Sequence, residues 1–452
     1  MLDIGYYREQ ENAAKTNCPN WMIYETNNLD VFEKTGFPVR INNFQQTYMM
    51  MDSMNDSLFD EYMQEFGGFN EDELNEFLHA LKSHIDYQRN AYPQKDHFLP
   101  LDTMISAFSI KKKLFNLDPN LKSLLEIGSG AGAFSFFAHN LENYTQIEAC
   151  ESFYMLQSAI NFYLFKDKFK EEVFEKQNNN YFSSLNETNK DYVEIKNIGG
   201  GVSHFPYWKL AKVYSKKEEF DMVMSNANLV EFSTRALNDY LSIINNILKN
   251  DGIFFVQCFG GTVLRDTNIA FEALYNHGFS PLFIVHPWHF DINQIKDDIA
   301  DKIKQKYDKI ALYPGGNHSQ IFSTYFNNYI ICDDKNEIYS KISSIKDNRA
   351  VFITSYDKNI IKSGIEQCKK SGLKYHTINE LVSMPFTKSN AVFVKNGHPL
   401  FKKYYNKENY YNTLTNYDED SLERISLWKQ KKNKKIYSKQ EIVYKFKDKF
   451  SN

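Results

Sequence analysis

The stretch LLEIGSGAG, residues Leu124–Gly132, predicts an apolar strand that runs into a glycine turn. The branched residues favour a buried strand, and Gly128, Gly130 and Gly132 follow in alternation. Glycine allows a sharp turn and lets a ligand lie against bare backbone. Helix-favouring residues follow from Ala131 onward. The turn is therefore expected to open onto a helix N-terminus and to bind a nucleotide-type cofactor.

The glycine spacing alone fits two classes of cofactor. Gly128, Gly130 and Ala133 match the dinucleotide pattern G-x-G-x-x-G/A, with Glu151 roughly 20 residues further on, where an acid would bind a ribose. Glu126, just before the turn, separates the two classes. A pyrophosphate on a helix N-terminus gains nothing from a neighbouring carboxylate, whereas the sulfonium and amino groups of S-adenosylmethionine do. A glycine turn without any ligand is the third interpretation.

Strands and helices alternate after the turn. The predicted elements are a helix to about Asn140, a strand at 144–149, a helix at 153–165, a strand that opens into a polar turn at 220–228, a helix at 240–250 and a strand at 253–258. This alternation predicts a parallel sheet with helices on both faces. Ligands of such sheets bind at the carboxyl ends of the strands.

Two acids lie near the end of the second predicted strand, and one of them is expected to bind the ribose hydroxyls of an adenosine. Glu151 is preferred because it follows the strand. Glu148 lies within the strand and could equally face solvent.

Over residues 100 to 290 the chain resembles the class I S-adenosylmethionine-dependent methyltransferases. Within that superfamily it is most similar to the sugar O-methyltransferases of bacterial surface-polysaccharide loci. Leu124–Gly132, Phe220–Phe232 and Leu248–Gly252 carry the likeness. The resemblance implies S-adenosylmethionine as the cofactor. The cofactor-binding residues that it implies are Glu126, Gly128, Ser129, Gly130, Gly132, Glu151, Asn226 and Asn228.

The expected fold class is α/β. A Rossmann-like class I methyltransferase sheet is expected at 101–300, with a helical N-terminal cap at 1–100. A second, smaller Rossmann-like α/β domain is expected at 306–400. The lysine-rich extension at 401–452 is expected to be a solvated helix or tail that docks in part through apolar residues such as Tyr437.

The second domain is predicted from a repeated pattern of strand, glycine turn and helix around Tyr313–His318. This pattern resembles a small module fused to several saccharide-modifying enzymes. Pro314 and Gly315 stand where that module has glycine and alanine. Ligand binding by this turn and a scaffolding role therefore both stay open.

Methyl transfer to a hydroxyl requires alignment, exclusion of water and a general base. The catalytic candidates are Glu231, in the turn after Asn226 and Asn228, and His204, which follows Gly199–Gly201. The competing interpretations are a favourable charge at a helix start for Glu231 and an ordinary loop histidine for His204. His286 and His289 have no cysteine or carboxylate at ligand spacing, so no metal is expected.

The composition predicts a cytoplasmic enzyme. The net charge of −4 argues against a large phosphate-backbone interface, and five cysteines without paired spacing indicate a reducing compartment. No apolar run approaches the roughly 20 residues of a membrane helix, and the first residues do not resemble a signal peptide. The expected partner is a small-molecule or saccharide acceptor, with no nucleic acid, and a homo-oligomer is left open.

The leading hypothesis is O-methylation of a sugar or nucleotide-linked sugar in surface-glycan biosynthesis. Methylation of a base amine is disfavoured, because Ser225–Asn228 stand where such enzymes carry an Asn/Asp-Pro-Pro-aromatic turn. Three alternatives remain: an NAD(P)-dependent oxidoreductase, a non-catalytic scaffold in a glycan-assembly complex, and an RNA or protein methyltransferase.

Overall fold

The chain is an α/β protein that divides into two compact units. In the computed structural model the first unit comprises Met1–Val285 and Thr387–Asn452, and the second comprises His286–Phe386. The structure describes residues 3–17, 38–52, 57–174, 201–229, 232–258, 267–285, 303–324, 326–355, 358–377, 388–402 and 434–450.

The central sheet of the first unit contains eight described strands. Their order across the sheet is β3 (Phe169–Glu171), β4 (Val202–Pro206), β2 (Asn143–Glu148), β1 (Ser123–Ile127), β5 (Phe220–Asn226), β6 (Leu248–Gln257), β12 (Asn390–Lys395) and β7 (Phe279–Val285). Neighbours from β3 to β6 are parallel, whereas β12 is antiparallel to both β6 and β7. Every residue of β1 is buried, which is typical of a sheet covered on both faces.

The direction in which the sheet grows reverses between β1 and β5. From β1 the chain builds outward through β2 to β4, and then it returns and adds β5 and β6 on the other side of β1. Ligands of open α/β sheets bind at such a reversal, in the crevice outside the carboxyl ends of the strands. Because β1 ends at Ile127, the glycine turn lies at this crevice.

The expected N-terminal helices are confirmed. The described helices of the whole chain are α1 (Ile4–Asn17), α2 (Phe59–Glu65), α3 (Glu71–Ala91), α4 (Leu101–Leu117), α5 (Glu151–Phe165), α6 (Leu210–Tyr214), α7 (Thr234–Ile247), α8 (Thr267–Asn276), α9 (Asn317–Ser323), α10 (Lys358–Lys370) and α11 (Lys439–Phe450). In the part of the chain that the structure covers, none of these helices combines the length and apolar character needed to cross a membrane.

Short 3-10 helices complete the described elements, at Phe44–Asp52, Ala133–Asn140, Lys166–Lys168, Tyr207–Lys209 and Ile342–Ser344. The helix expected directly after the glycine turn is therefore a 3-10 helix, and it begins at Ala133 instead of Ala131.

The start of α3 follows from a capping box in the sequence. The Asn70 side chain accepts a hydrogen bond from the Glu73 N–H at 2.8 Å, and the Glu73 carboxylate accepts one from the Asn70 N–H at 3.0 Å. These two bonds satisfy backbone donors that a helix start otherwise leaves unpaired.

Aromatic rings join the N-terminal helices to the segment that follows the glycine turn. The Phe108 ring of α4 lies with its centroid 5.2 Å from Phe69, 5.8 Å from Phe77 and 5.5 Å from Phe137. All four rings are buried. Phe137 belongs to the 3-10 helix Ala133–Asn140, so this cluster anchors the far end of the glycine loop to α4.

The second unit contains a small parallel sheet. Its described strands are, in spatial order, β11 (Tyr375–Thr377), β10 (Ala350–Ile353), β8 (Ile310–Tyr313) and β9 (Tyr329–Ile331). All three pairings are parallel. An apolar core that includes Val351, Ile353 and Cys368 packs the strands against α10.

The boundary expected at residue 400 differs from the structure. β12, which the 306–400 assignment included in the second domain, lies in the main sheet between β6 and β7. Its residues are all buried, so the apolar pattern alone suits either sheet. The second unit is therefore inserted in sequence between β7 and β12.

The C-terminal residues dock onto the N-terminal helices. The backbone of Lys435 exchanges two hydrogen bonds with the backbone of Phe69, at 2.8 and 2.9 Å. Tyr437 contacts the Phe69 ring at a centroid distance of 6.3 Å, and Lys439 Nζ pairs with Asp102 at 2.7 Å. Residues 434–450 of the lysine-rich extension are thus held against the N-terminal helices.

Truncating Phe108 tests the aromatic cluster. Phe108→Ala removes a buried ring that contacts three other buried rings, so we expect the free energy of unfolding to fall by about 3–5 kcal/mol. Phe115→Ala, on the same helix but only half-buried, should cost clearly less. Urea denaturation followed by circular dichroism measures both, and equal losses would contradict the role assigned to the cluster.

Candidate functional site

The glycine turn adopts a backbone that glycine suits. Gly128, Gly130 and Gly132 have φ values of +67°, +52° and +72°, in the left-handed region that side chains disfavour. At Gly128 a Cβ atom would lie 2.1 Å from Asn228 Oδ1, so no other residue fits there. The turn is therefore specified by close approach as well as by dihedral angle.

Asn228 fastens the end of β1 to the end of β5. Its Nδ2 donates to the carbonyl oxygens of Ile127 at 2.9 Å, Gly128 at 3.2 Å and Asn226 at 2.6 Å. These carbonyls lie where the two strands end, so the amide replaces the ladder hydrogen bonds that stop there. The sequence-predicted Gly128, Asn226 and Asn228 therefore come together in the structure.

Gly132 packs against α5 on the opposite side of the turn. A Cβ atom there would lie 3.2 Å from Ile160 Cδ1 and 3.4 Å from Gln157 Cγ, both on α5. It contacts this helix, and it is not among the residues that line the cavity at the crevice.

A cavity of about 300 Å³ opens at the carboxyl ends of β1, β2 and β5. This volume is at the lower end of what small-molecule sites provide. The walls come from α4, from the strand ends and their turns, from the 3-10 helix Ala133–Asn140 and from α5. The lining residues are Thr103, Ser106, Ala107, Ile110, Glu126, Gly128, Ser129, Gly130, Ala131, Ala133, Phe134, Glu148, Cys150, Phe153, Asn226, Ala227, Asn228 and Lys388.

Glu126 lines this cavity while being almost wholly buried. The Tyr144 hydroxyl donates to its carboxylate, and Gln146 Nε2 lies 3.4 Å from Oε2. Burial raises the pKa of Glu126 to about 7 despite these donors. The carboxyl group is thus poised to lose its proton when a cation binds beside it.

Glu148, at the end of β2, is the second acid of the cavity. Its Oε1 accepts hydrogen bonds from the N–H groups of Ala149 at 2.7 Å and Cys150 at 2.9 Å, and Gln157 Nε2 donates to Oε2 at 2.8 Å. Burial nevertheless raises its pKa. These donors fix the orientation of a carboxylate that faces the cavity.

Glu151, the acid preferred from the sequence, lies elsewhere. It is the first residue of α5, and its carboxylate is bound by Arg8 at 2.7 Å, by Arg40 at 2.6 Å and by the Ile41 N–H at 3.1 Å. Burial would raise its pKa, but the hydrogen bonds from Arg8 and Arg40 outweigh it and lower the pKa. Glu151 therefore fastens the N-terminal segment and does not line the cavity. Because Glu151 follows the end of β2, it begins α5, and there its carboxylate contacts Arg8 and Arg40.

His204 is not a loop residue at the cavity. It lies within β4, is fully buried, and stacks on Tyr154 with ring centroids 4.0 Å apart. Burial lowers its pKa to about 3. A histidine that is neutral and enclosed in this way has no access to an acceptor, so it is not a candidate general base.

Several other predicted residues lie outside the described part of the chain, namely Glu231, His286 and His289. Within the residues that the structure does describe, no group of three or more metal-ligating side chains comes together.

Two lining side chains carry polar atoms that lack a partner. Thr103 Oγ1 and Asn226 Oδ1 are buried and have no hydrogen-bond partner among the described residues. Leaving such an atom unpaired costs about 1–3 kcal/mol. Both atoms belong to residues that line the cavity, so a ligand that donates hydrogen bonds there would satisfy them.

The charge of the lining discriminates between ligands. Two buried carboxylates face one lysine, Lys388, among the described lining residues. The turn also opens onto a 3-10 helix and not onto the α-helix N-terminus that favours a pyrophosphate. The charge of the lining therefore favours a cationic group over a pyrophosphate.

The sequence offered Glu148 as the second choice after Glu151, and the structure places Glu148, at the end of β2, in the cavity. Sequence reasoning missed Thr103 and the aromatic wall of Phe134 and Phe153. Thr103 had no signal in the sequence, because only packing brings α4 to the crevice.

The glycine turn of the second unit is occupied by its own side chains. Asp333 Oδ2 accepts a hydrogen bond from the Gly315 N–H at 2.8 Å, and a Cβ atom on Gly315 would lie 2.5 Å from the Tyr339 ring. A carboxylate at this N–H opposes an anionic ligand. The described residues of this turn therefore favour a structural role over phosphate binding.

Comparisons with known proteins give structural likeness without a family. No protein-family model matches the chain, and no curated protein matches it. Among solved structures, the cyclase SpnF matches at 11% identity and a TM-score of 0.29, over 67% of this chain and 84% of that one. A geranyl diphosphate C-methyltransferase from Streptomyces coelicolor matches at 10% identity and a TM-score of 0.29, over 68% of this chain and 80% of that one.

A third solved structure is CalS10, an amino pentose methyltransferase from Micromonospora echinaspora. It matches at 11% identity and a TM-score of 0.22, over 38% of this chain and 53% of that one. Identities and scores this low establish neither a family nor an activity.

Substitution of Gly128 tests the packing at the crevice. In Gly128→Ala the new methyl group would clash with the Asn228 side chain, and alanine would also be strained in the left-handed backbone conformation. We therefore expect a large fall in melting temperature. Gly278→Ala is the matched control, because Gly278 has φ +75° but its nearest neighbour would lie 4.0 Å from the new Cβ. It should cost only the backbone strain of about 1–2 kcal/mol. Equal losses in differential scanning fluorimetry would contradict the close approach.

Proposed function

We propose that this protein transfers a methyl group from S-adenosylmethionine to a hydroxyl group, on a sugar or nucleotide-linked sugar. The observation that carries the proposal is the pair of buried carboxylates, Glu126 and Glu148, that flank a glycine turn at the topological reversal of the sheet. The cofactor supplies a methyl group on a sulfonium centre. The protein's own residues bind it, orient it and exclude water.

Each end of the cofactor has a matching group in the cavity. Glu148 is assigned to the two ribose hydroxyls in place of Glu151, because Glu148 lines the cavity and Glu151 does not. Glu126 is assigned to the amino group, since an ammonium is attracted to a buried carboxylate. Lys388 is the candidate partner of the carboxylate of the amino-acid portion.

Further side chains would complete the binding site. Asn226 Oδ1 and Thr103 Oγ1 are unpaired acceptors within the described residues, and an adenine amino group is a donor of the kind that they lack. The apolar wall, which includes Ile110, Phe134 and Phe153, offers a surface for the flat base. A purely scaffolding protein has no need to keep two acids and two unpaired polar atoms in one cavity.

The proposed acceptor is a hydroxyl group, and the proposed general base is Glu231. The hydroxyl acceptor is supported by the resemblance over Phe220–Phe232 and by the absence of a base-amine turn at Ser225–Asn228. Glu231 is retained as the proposed base because it follows Asn228, which lines the cavity, by only three positions. His204 is withdrawn from this role.

Titration calorimetry with S-adenosylhomocysteine and with NADH tests the proposal. We expect S-adenosylhomocysteine to bind and NADH not to bind. Glu148→Ala should lower the affinity for S-adenosylhomocysteine by about 10- to 100-fold, because it removes hydrogen bonds between the ligand and a charged group. Glu151→Ala should leave that affinity close to wild type. Binding of NADH without binding of S-adenosylhomocysteine would identify the oxidoreductase alternative instead, and binding of neither would favour the scaffold.

Glu126 gives the binding a defined pH dependence. With a pKa of about 7, its carboxyl group is mostly protonated at pH 6 in the free protein and mostly ionised at pH 8. A ligand ammonium favours the ionised form, so binding at pH 6 must first release a proton. The affinity for S-adenosylhomocysteine should therefore fall by about tenfold from pH 8 to pH 6.

Glu126→Gln should remove this dependence, because its amide does not titrate. Glu142→Gln is the control, since Glu142 is exposed and pairs with Lys122 at the surface. Calorimetry at the two pH values provides the measurement. A dependence that persists in Glu126→Gln would show that another group is responsible.

A further inference from the structure

A chain of buried hydrogen bonds leads from the cavity into the sheet. Glu148 Oε2 accepts from Gln157 Nε2 at 2.8 Å, and Gln157 Oε1 lies 3.0 Å from His204 Nε2. His204 Nδ1 in turn lies 3.0 Å from Ser158 Oγ, which bonds to the carboxyl group of Glu171. All five side chains are buried. Only Glu148 of the five lines the cavity.

The orientation of Gln157 is determined by its partners. Its Nε2 donates to Glu148 Oε2 and also to the Gly130 carbonyl oxygen at 2.7 Å. Turning the amide over would set its oxygen against these two oxygen acceptors. Gln157 Oε1 therefore accepts a hydrogen bond, and the donor is His204 Nε2–H.

This assignment places the ring proton of His204 on Nε2 and leaves Nδ1 as an acceptor, 3.0 Å from the Ser158 hydroxyl. The Ser158 hydroxyl also bonds to the Glu171 carboxyl group. Burial agrees with a neutral ring, because it lowers the pKa of His204 to about 3.

The His204 ring is held firmly in place. It stacks on Tyr154 at an interplanar angle of 14°, and the Tyr154 hydroxyl donates to the Glu171 carboxyl group and lies 3.2 Å from the His204 carbonyl oxygen. A ring fixed on both nitrogens and on one face restricts the rotation of whatever it binds. Here it binds the amide oxygen of Gln157.

We infer that His204 is a positioning residue, which acts through Gln157 to orient Glu148 toward the ribose hydroxyls and to hold the Gly130 carbonyl of the glycine turn. The inference rests on the proposed function, because it takes Glu148 as the ribose-binding acid. It assigns His204 a role in ligand recognition that does not require contact with the ligand. Supporting residues of this kind restrict the orientation of the group that contacts the ligand.

The measurement is the discrimination between adenosine and 2′,3′-dideoxyadenosine, each competed against S-adenosylhomocysteine. This ratio of dissociation constants reports the ribose hydroxyls alone. In His204→Phe the ring and its stacking remain but both nitrogens are lost. We expect the ratio to fall by about tenfold, toward the value of Glu148→Ala, because an uncoupled carboxylate forms weaker hydrogen bonds.

Three further variants separate positioning from simple stability. Glu148→Ala combined with His204→Phe should lose no more discrimination than Glu148→Ala alone, since coupled residues are not additive. His204→Gln, whose amide can still donate to Gln157, should recover part of the ratio. His84→Phe is the matched control. His84 is also buried, stacks on Phe136 at 4.8 Å and has a pKa lowered to about 3 by burial, so this variant should lower the melting temperature and keep the ratio.

The outcomes are distinct. If His204→Phe binds S-adenosylhomocysteine and keeps the wild-type ratio, the inference is overturned while the proposed function stands. If the wild type binds no S-adenosylhomocysteine, the proposed function fails and the inference fails with it. If His204→Phe does not fold, Gln157→Met breaks the same chain at its middle, and an unchanged ratio in that variant overturns the inference.

Discussion

The amide of Asn228 is the contact on which the site depends. It bonds to backbone carbonyls at the ends of β1 and β5, the two strands between which the sheet reverses its growth. The amide lies so close that Gly128 has no room for a Cβ atom. The position therefore requires a glycine, and both Gly128 and Asn228 line the cavity. Buried backbone carbonyls need partners, and here a side chain of the neighbouring loop provides them.

Burial of acidic groups is the second constraint. Glu126, Glu148 and Glu151 are all nearly inaccessible to solvent, and an unpaired buried carboxylate is costly. Glu151 is stabilised by two arginines and keeps its charge. Among the described residues, the hydrogen bonds to Glu126 and Glu148 come from neutral donors, and burial raises the pKa values of both acids. The two arginines thus hold the N-terminal segment on Glu151, whereas the acids that line the cavity are held by neutral groups.

Local features of the fold could be predicted because short-range chemistry specifies them. The apolar run before the glycines predicted β1, and the cap at Asn70 places the start of α3. The helix after the turn is a 3-10 helix, and its Phe137 packs against Phe108 of α4. The local sequence pattern could not decide whether Glu148 or Glu151 lines the cavity. That choice depends on Arg8 and Arg40, which are more than a hundred residues away in sequence from Glu151.

The sequence by itself determined the α/β class, the glycine turn and the acid before it, because strand propensity, glycine dihedrals and helix caps act over a few residues. Only the tertiary structure decided which acid faces the cavity, that His204 lies inside a strand, and that β12 joins the main sheet after the inserted unit. All three depend on contacts between segments that are distant in sequence. Such contacts are determined by packing and by long-range hydrogen bonds, which no local pattern encodes.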